Sequence, residues 1–96
     1  MAMYPYMTLN DETEIVHSHL IKKDGLKIVE VHFERPVYGG FDSVRCTLPT
    51  YEWTVWEGKF SDEEIKKFEI FIKNNAHLLY KYAESGGINF ADSLSS

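Results

Sequence analysis

The sequence predicts an α+β domain: an antiparallel β-meander of three to five strands, followed by one long C-terminal amphipathic helix packed on the sheet. Three observations predict it. Residues 13–48 alternate between apolar and polar positions in runs parted by turn residues, as half-buried strands do. Asp24-Gly25 lies between two such runs, and Asp-Gly suits a two-residue hairpin loop because both positions take positive φ. From Ser61 onward the apolar period changes to the helical one, behind an N-cap signature.

Taken in order, Tyr6–Leu9 forms a first strand that turns through Asn10-Asp11 into Thr13. Ile15–Ile21 and Leu26–Phe33 then make the hairpin. With Asp24 and Gly25 as its loop, Val16 faces Phe33, Ser18 faces Val31 and Leu20 faces Val29, which gives one consistent apolar face. Arg35-Pro36-Val37-Tyr38-Gly39-Gly40 reads as a loop rich in breakers. Phe41–Leu48 alternates again, with Val44, Cys46 and Leu48 on one side, and Pro49 ends it because proline cannot donate to a ladder. The stretch Tyr51-Glu52-Trp53-Thr54-Val55-Trp56 suits either a strand or an aromatic connection packed on the sheet.

The helix is predicted over Asp62–Ser85. Ser61 is the N-cap, Glu64 completes a capping box, and Phe60 and Ile65 hold the hydrophobic-staple positions. Asp62, Glu63 and Glu64 suit the positive end of the helix dipole and Lys81 the other end. Gly86-Gly87 supplies the stop, with Ile88 placed to pack back. Ile65, Phe68, Ile72, Ala76, Leu79 and Ala83 form the main apolar stripe, with Phe71, Leu78 and Tyr82 beside it. At the helical repeat these nine span about 160°, whereas a small sheet needs only about 100°. Either the helix sits deep under the aromatics of residues 51–60, or Phe71, Leu78 and Tyr82 meet another chain.

The 96 residues suffice for one domain, taken as 1–90, with a flexible polar tail at 91–96. Aromatic residues make up 15% of the chain, a generous load that fills a thin core and also favours a partner surface. The net charge of −5 and the absence of any Lys/Arg run longer than two argue against direct nucleic-acid binding and against a membrane surface. The single cysteine, Cys46, rules out a disulfide within the chain and fits a reducing compartment. The first six residues carry no basic and apolar leader pattern, and no apolar run is long enough to span a bilayer. A cytoplasmic protein without cofactors is the expectation.

The assumed hairpin register gathers chemistry on the face away from the core. His17 falls opposite His32 and His19 opposite Glu30, so three imidazoles and a carboxylate form a candidate metal- or proton-binding strip. Residues on a strand are weak metal indicators, and an ordinary solvated strip that happens to hold histidines is the favoured reading. His77 stands on the helix away from the apolar stripe. Cys46 alternates with core residues and reads as a small hydrophobe rather than a nucleophile. Gly39-Gly40 lacks any phosphate-loop spacing. Tyr51, Trp53 and Trp56 either pack on the core or, with Phe71, Leu78 and Tyr82, present a partner-binding surface.

The segments Leu48-Pro49-Thr50-Tyr51-Glu52-Trp53, Phe60-Ser61-Asp62-Glu63-Glu64-Ile65, Ala76-His77-Leu78-Leu79 and Gly86-Gly87 resemble a group of short uncharacterised bacterial proteins, often encoded near mobile elements. The resemblance covers Met7 to Gly87 and implies a small stand-alone protein, with no activity to carry over. Such chains often have glycine in the first turn, where this one has Glu12.

The residues thus favour a non-enzymatic protein-interaction module, homodimeric, that binds a protein partner. Two rivals stand beside it. One is a metal- or pH-responsive protein built on His17, His19, His32 and Glu30. The other is an acidic decoy for a nucleic-acid-binding partner, motivated by the net charge.

Overall fold

The computed structural model describes residues 3–87. The expected packing of Ile88 and the tail at 91–96 lie outside the described residues. The elements are β1 (Met3–Thr8), β2 (Glu14–Ser18), β3 (Ile21–Lys23), β4 (Leu26–Val37), β5 (Gly40–Leu48), β6 (Glu52–Glu57) and α1 (Asp62–Ser85). The strands lie in the order β1-β2-β4-β5-β6, all antiparallel, with β3 paired to the first part of β4. The meander and helix are therefore as expected, and the ambiguous stretch at 51–56 is a strand from Glu52 onward, with Tyr51 in the turn before it.

One face of the sheet packs against α1. Ile15, Val29, Val31, Phe33, Val44, Cys46 and Leu48 meet Phe60, Ile65, Phe68, Ile72, Leu79 and Ala83 in a single core. Phe33 stacks on Phe68 with ring centroids 4.2 Å apart, and Phe60 meets Phe68 edge-on at 5.2 Å. The other face carries no element among the described residues and is called the open face below.

The helix ends where local chemistry puts them. Ser61 accepts from the Glu64 N–H, and the Glu64 carboxylate accepts from the Ser61 N–H. Gly86 closes the helix at φ 83°, a left-handed position that glycine adopts without penalty. Lys81 stands short of the last turn, which holds no basic residue, so its part in the dipole argument falls away.

The hairpin register is half as expected. At the turn, Asp24 (φ 51°) and Gly25 (φ 79°) form the loop, and Lys23 faces Leu26, Lys22 faces Lys27 and Ile21 faces Ile28. Further along, the pairing slips by one residue: Val16 faces His32, His17 faces Val31 and Ile15 faces Phe33. The slip is a β-bulge in which His19 and Leu20 together oppose Val29. Two hydrogen bonds hold it. The Leu20 N–H leaves the ladder and donates to Ala83 O of α1 at 3.1 Å, while the Ser18 hydroxyl accepts the Glu30 N–H at 3.0 Å. Because side chains alternate faces, the bulge turns Ile15 and His17 into the core and Val16 onto the open face.

Two further departures concern strand ends. β4 continues through Pro36 to Val37, where breakers suggested a loop. Pro36 is tolerated because β2 stops pairing at Glu14–Glu34, so its missing N–H faces no neighbouring strand. The connection to β5 is only Tyr38-Gly39, with Gly39 at φ 86°. β1 starts earlier than expected, and its pairing shifts between Pro5 and Met7. Tyr6 is the extra residue there, and it lies over the helix.

Candidate functional site

The bulge decides the fate of the histidine strip. His17 is fully buried on the helix side, with Tyr4 and Tyr6 rings at 5.7 Å and 6.3 Å. His32 lies on the open face opposite Arg45, and His19 is exposed within the bulge. The candidate metal site of His17, His19, His32 and Glu30 is thereby corrected: His17 and His32 point to opposite faces of the sheet. Among the described residues no three His, Cys, Asp or Glu side chains are grouped to hold a metal ion.

Each imidazole has its own environment. His17 Nδ1 lies 2.8 Å from Ser18 O and donates to it, which leaves Nε2 buried as an unpartnered acceptor. Burial lowers its proton affinity, only partly offset by the Ser18 carbonyl. His32 Nε2 stands 3.7 Å from Glu30. Burial and then the Arg45 charge lower the pKa of His32 against the pull of Glu30 and Glu34. Cys46 is buried in the core as expected, and burial pushes its thiol up to about 12.

The six residues expected to bind a partner divide. Trp53 packs on the core with its ring 6.0 Å from Phe33, and Tyr51 is half-buried under Lys73. Trp56 remains 46% exposed, although its indole N–H donates to Phe60 O at 3.2 Å. Phe71 and Tyr82 each lie 6.1 Å from the Tyr6 ring, and the Tyr6 hydroxyl donates to Asn75. Tyr6 of β1 therefore covers part of the second helix stripe. Leu78 is half-buried.

An apolar surface that the sequence reading missed stands at the β4–β5 hairpin. The two strands overrun β2, and their tip exposes Pro36, Val37, Tyr38 and Phe41. Tyr38 is fully exposed and Phe41 is 63% exposed. Beside them lies a depression of about 500 Å³, bordered also by Asp42, Gly58 and Lys59. The available signal was the apolar run Val37-Tyr38 ahead of Gly39-Gly40-Phe41, obscured because Pro36 suggested that the strand had already ended.

An ionic cluster anchors this tip to the fold. The Arg35 guanidinium donates to Asp42 at 2.7 Å and 3.1 Å, pairs with Glu64, approaches Asp11 at 3.5 Å and covers the Phe60 ring at 4.4 Å. The Arg35 bonds and the Lys59 N–H hold the Asp42 carboxyl below the usual carboxylate range. Burial opposes the same effect at Glu64, but the Ser61 and Arg35 hydrogen bonds outweigh it. Gly58 lies against Asp42: a Cβ there would collide with its carboxylate and stand 2.8 Å from its Cα.

No helix among the described residues is long and apolar enough to cross a membrane. No family model, no curated protein and no solved structure matches the chain.

Proposed function

We propose that this chain is a non-enzymatic protein-interaction module, self-associating, whose contact with a protein partner is made by the β4–β5 hairpin tip. The carrying observation is the exposed apolar group Val37, Tyr38 and Phe41. These side chains add nothing to the core, and exposed apolar groups of this kind mark protein contacts. Aromatic side chains on a projecting turn suit a partner that offers an apolar recess, because rings bury much area while ordering few rotors. The Arg35 cluster supports the reading by holding the base of the hairpin to α1 and to the β1–β2 loop. The high thiol pKa of Cys46 and the burial of His17 also favour a binding role over nucleophilic or acid–base chemistry.

A comparative pull-down from the native host tests this, with the wild type, a Tyr38→Ser/Phe41→Ser variant and an Asn74→Ser control on the far helix surface. The expected outcome is a partner retained by the wild type and the control and lost by the tip variant. Equal capture by all three would refute the assignment.

A further inference from the structure

We propose that the open sheet face docks the outer stripe of α1 from a second copy of this chain, in a head-to-tail arrangement. This rests on the reading that the chain works by protein contact, but it uses two surfaces other than the hairpin tip.

The open face is acidic in an ordered way. One line across the strands runs Glu14, Glu34, Ser43, Glu57, and a second runs Glu30, Thr47, Glu52. Between them lies Val16, His32, Arg45, Thr54. Glu14 stands directly opposite Glu34, and like charges so placed oppose strand pairing. Among the described residues, none of these five carboxylates has a Lys or Arg within ion-pair distance, and the His32 imidazole near Glu30 is their one basic neighbour. Arg45 also lacks a carboxylate within that distance, and its Nε is buried without a hydrogen-bond partner. The face therefore presents unbalanced negative charge with an unpaired guanidinium at its centre.

The outer surface of α1 between the exposed Glu63 and Glu84 is the complement. Lys66, Ile70, Lys73, His77 and Lys81 recur at helical spacing, and all are exposed. Ile70 is 61% exposed on this otherwise polar stripe and takes no part in the core. Lys73 makes a surface pair with Glu69 at 3.6 Å and lies 5.4 Å from the Tyr51 ring, exposed contacts weak enough to exchange.

The dimensions agree. Glu30 and Glu34 set the two carboxylate lines about 13 Å apart along β4, by the rise of a strand. Lys66 and Lys73 are about 10.5 Å apart along the helix axis, and flexible lysine stems absorb the difference. A helix laid along β4 puts one lysine on each line and Ile70 between them, over His32 and flanked by Val16 and the aliphatic stem of Arg45.

In one molecule the two surfaces look in opposite directions, because α1 covers the other side of the sheet. The contact is therefore heterologous, and copies add in a row unless the rotation closes a ring.

Sedimentation velocity tests the arrangement. The wild type is expected to associate with rising concentration in about 0.1 M salt and to dissociate in about 1 M salt, where the screening length falls from about 10 Å to about 3 Å. Glu30→Gln/Glu34→Gln blocks the sheet face and Lys66→Gln/Lys73→Gln blocks the helix stripe. Each variant alone is expected to associate about tenfold more weakly, since two ion pairs are lost. Their equimolar mixture is expected to stop at a one-to-one pair, because each variant brings one intact surface. The Tyr38→Ser/Phe41→Ser variant is expected to assemble like the wild type. A mixture that stays monomeric, blocked variants that associate fully, or loss of assembly in the tip variant would each overturn the proposal. A monomeric wild type at high micromolar concentration would also overturn it and return the face to the acidic-decoy reading.

Discussion

His17 occupies a fully buried position with one ring nitrogen satisfied and the other bare. Burial disfavours its charged form, and the same cause acts on His32. An unfolded histidine titrates near its ordinary value of about 6.5. As pH falls through that value, the unfolded chain takes up protons that folded His17 and His32 resist. Stability is therefore full above about pH 6.5 and declines below it. Urea unfolding at about pH 7.5 and about pH 5.5 should show the decline, and His17→Leu should remove part of it. An unchanged pH slope in that variant would show that His17 is not responsible. At lower pH a separate loss follows from Asp11, Asp42 and Glu64. Their folded pKa values are depressed, so their stabilisation goes as pH drops through the carboxylate range.

At the scale of the element, the β1–β2 turn carries a local cost. Leu9 N–H donates to Thr13 O and Glu12 N–H to Leu9 O, which makes Asn10-Asp11-Glu12 a three-residue loop. Its last residue, Glu12, has φ 68°. Such loops favour glycine there. Glu12→Gly should stabilise the domain by about 1 kcal/mol, because an L side chain in the left-handed region costs about that much. A denaturant midpoint equal to or below the wild type would contradict this. The helix is a simpler case. Its capping box and Gly86 were legible because every partner lies within five residues along the chain. The Asp24-Gly25 turn was legible for the same reason. The register beyond it was not, since the bulge is held by Leu20 on Ala83 of α1, a partner far away in sequence.

At the scale of the whole molecule, Arg35 ties β4, β5, the β1–β2 loop and the helix N-terminus into one unit. The β6–α1 connection joins it where the Lys59 N–H donates to Asp42 at 2.9 Å. That approach depends on Gly58, which has φ 89° and no room for a side chain. Gly58→Ala should cost about 2–3 kcal/mol, from backbone strain and the forced displacement of Asp42 together. Thermal unfolding would measure it, and a wild-type midpoint would show that the connection shifts freely.

The chain's own order of residues determined the α+β class, the ends of α1, the tight turn at Asp24-Gly25 and the buried side of β5, including Cys46. All of these rest on hydrogen bonds, φ preferences or alternation over a few neighbouring residues. Only the tertiary structure decided which side of β2 is buried, that β4 runs on through Pro36, and that Tyr6 covers Phe71 and Tyr82. A bulge, a strand edge and a ring on a distant helix are set by partners far along the chain, and one inserted residue inverts a whole face. The histidine strip dissolved for that reason. The acidic open face and the exposed hairpin tip emerged for the same one.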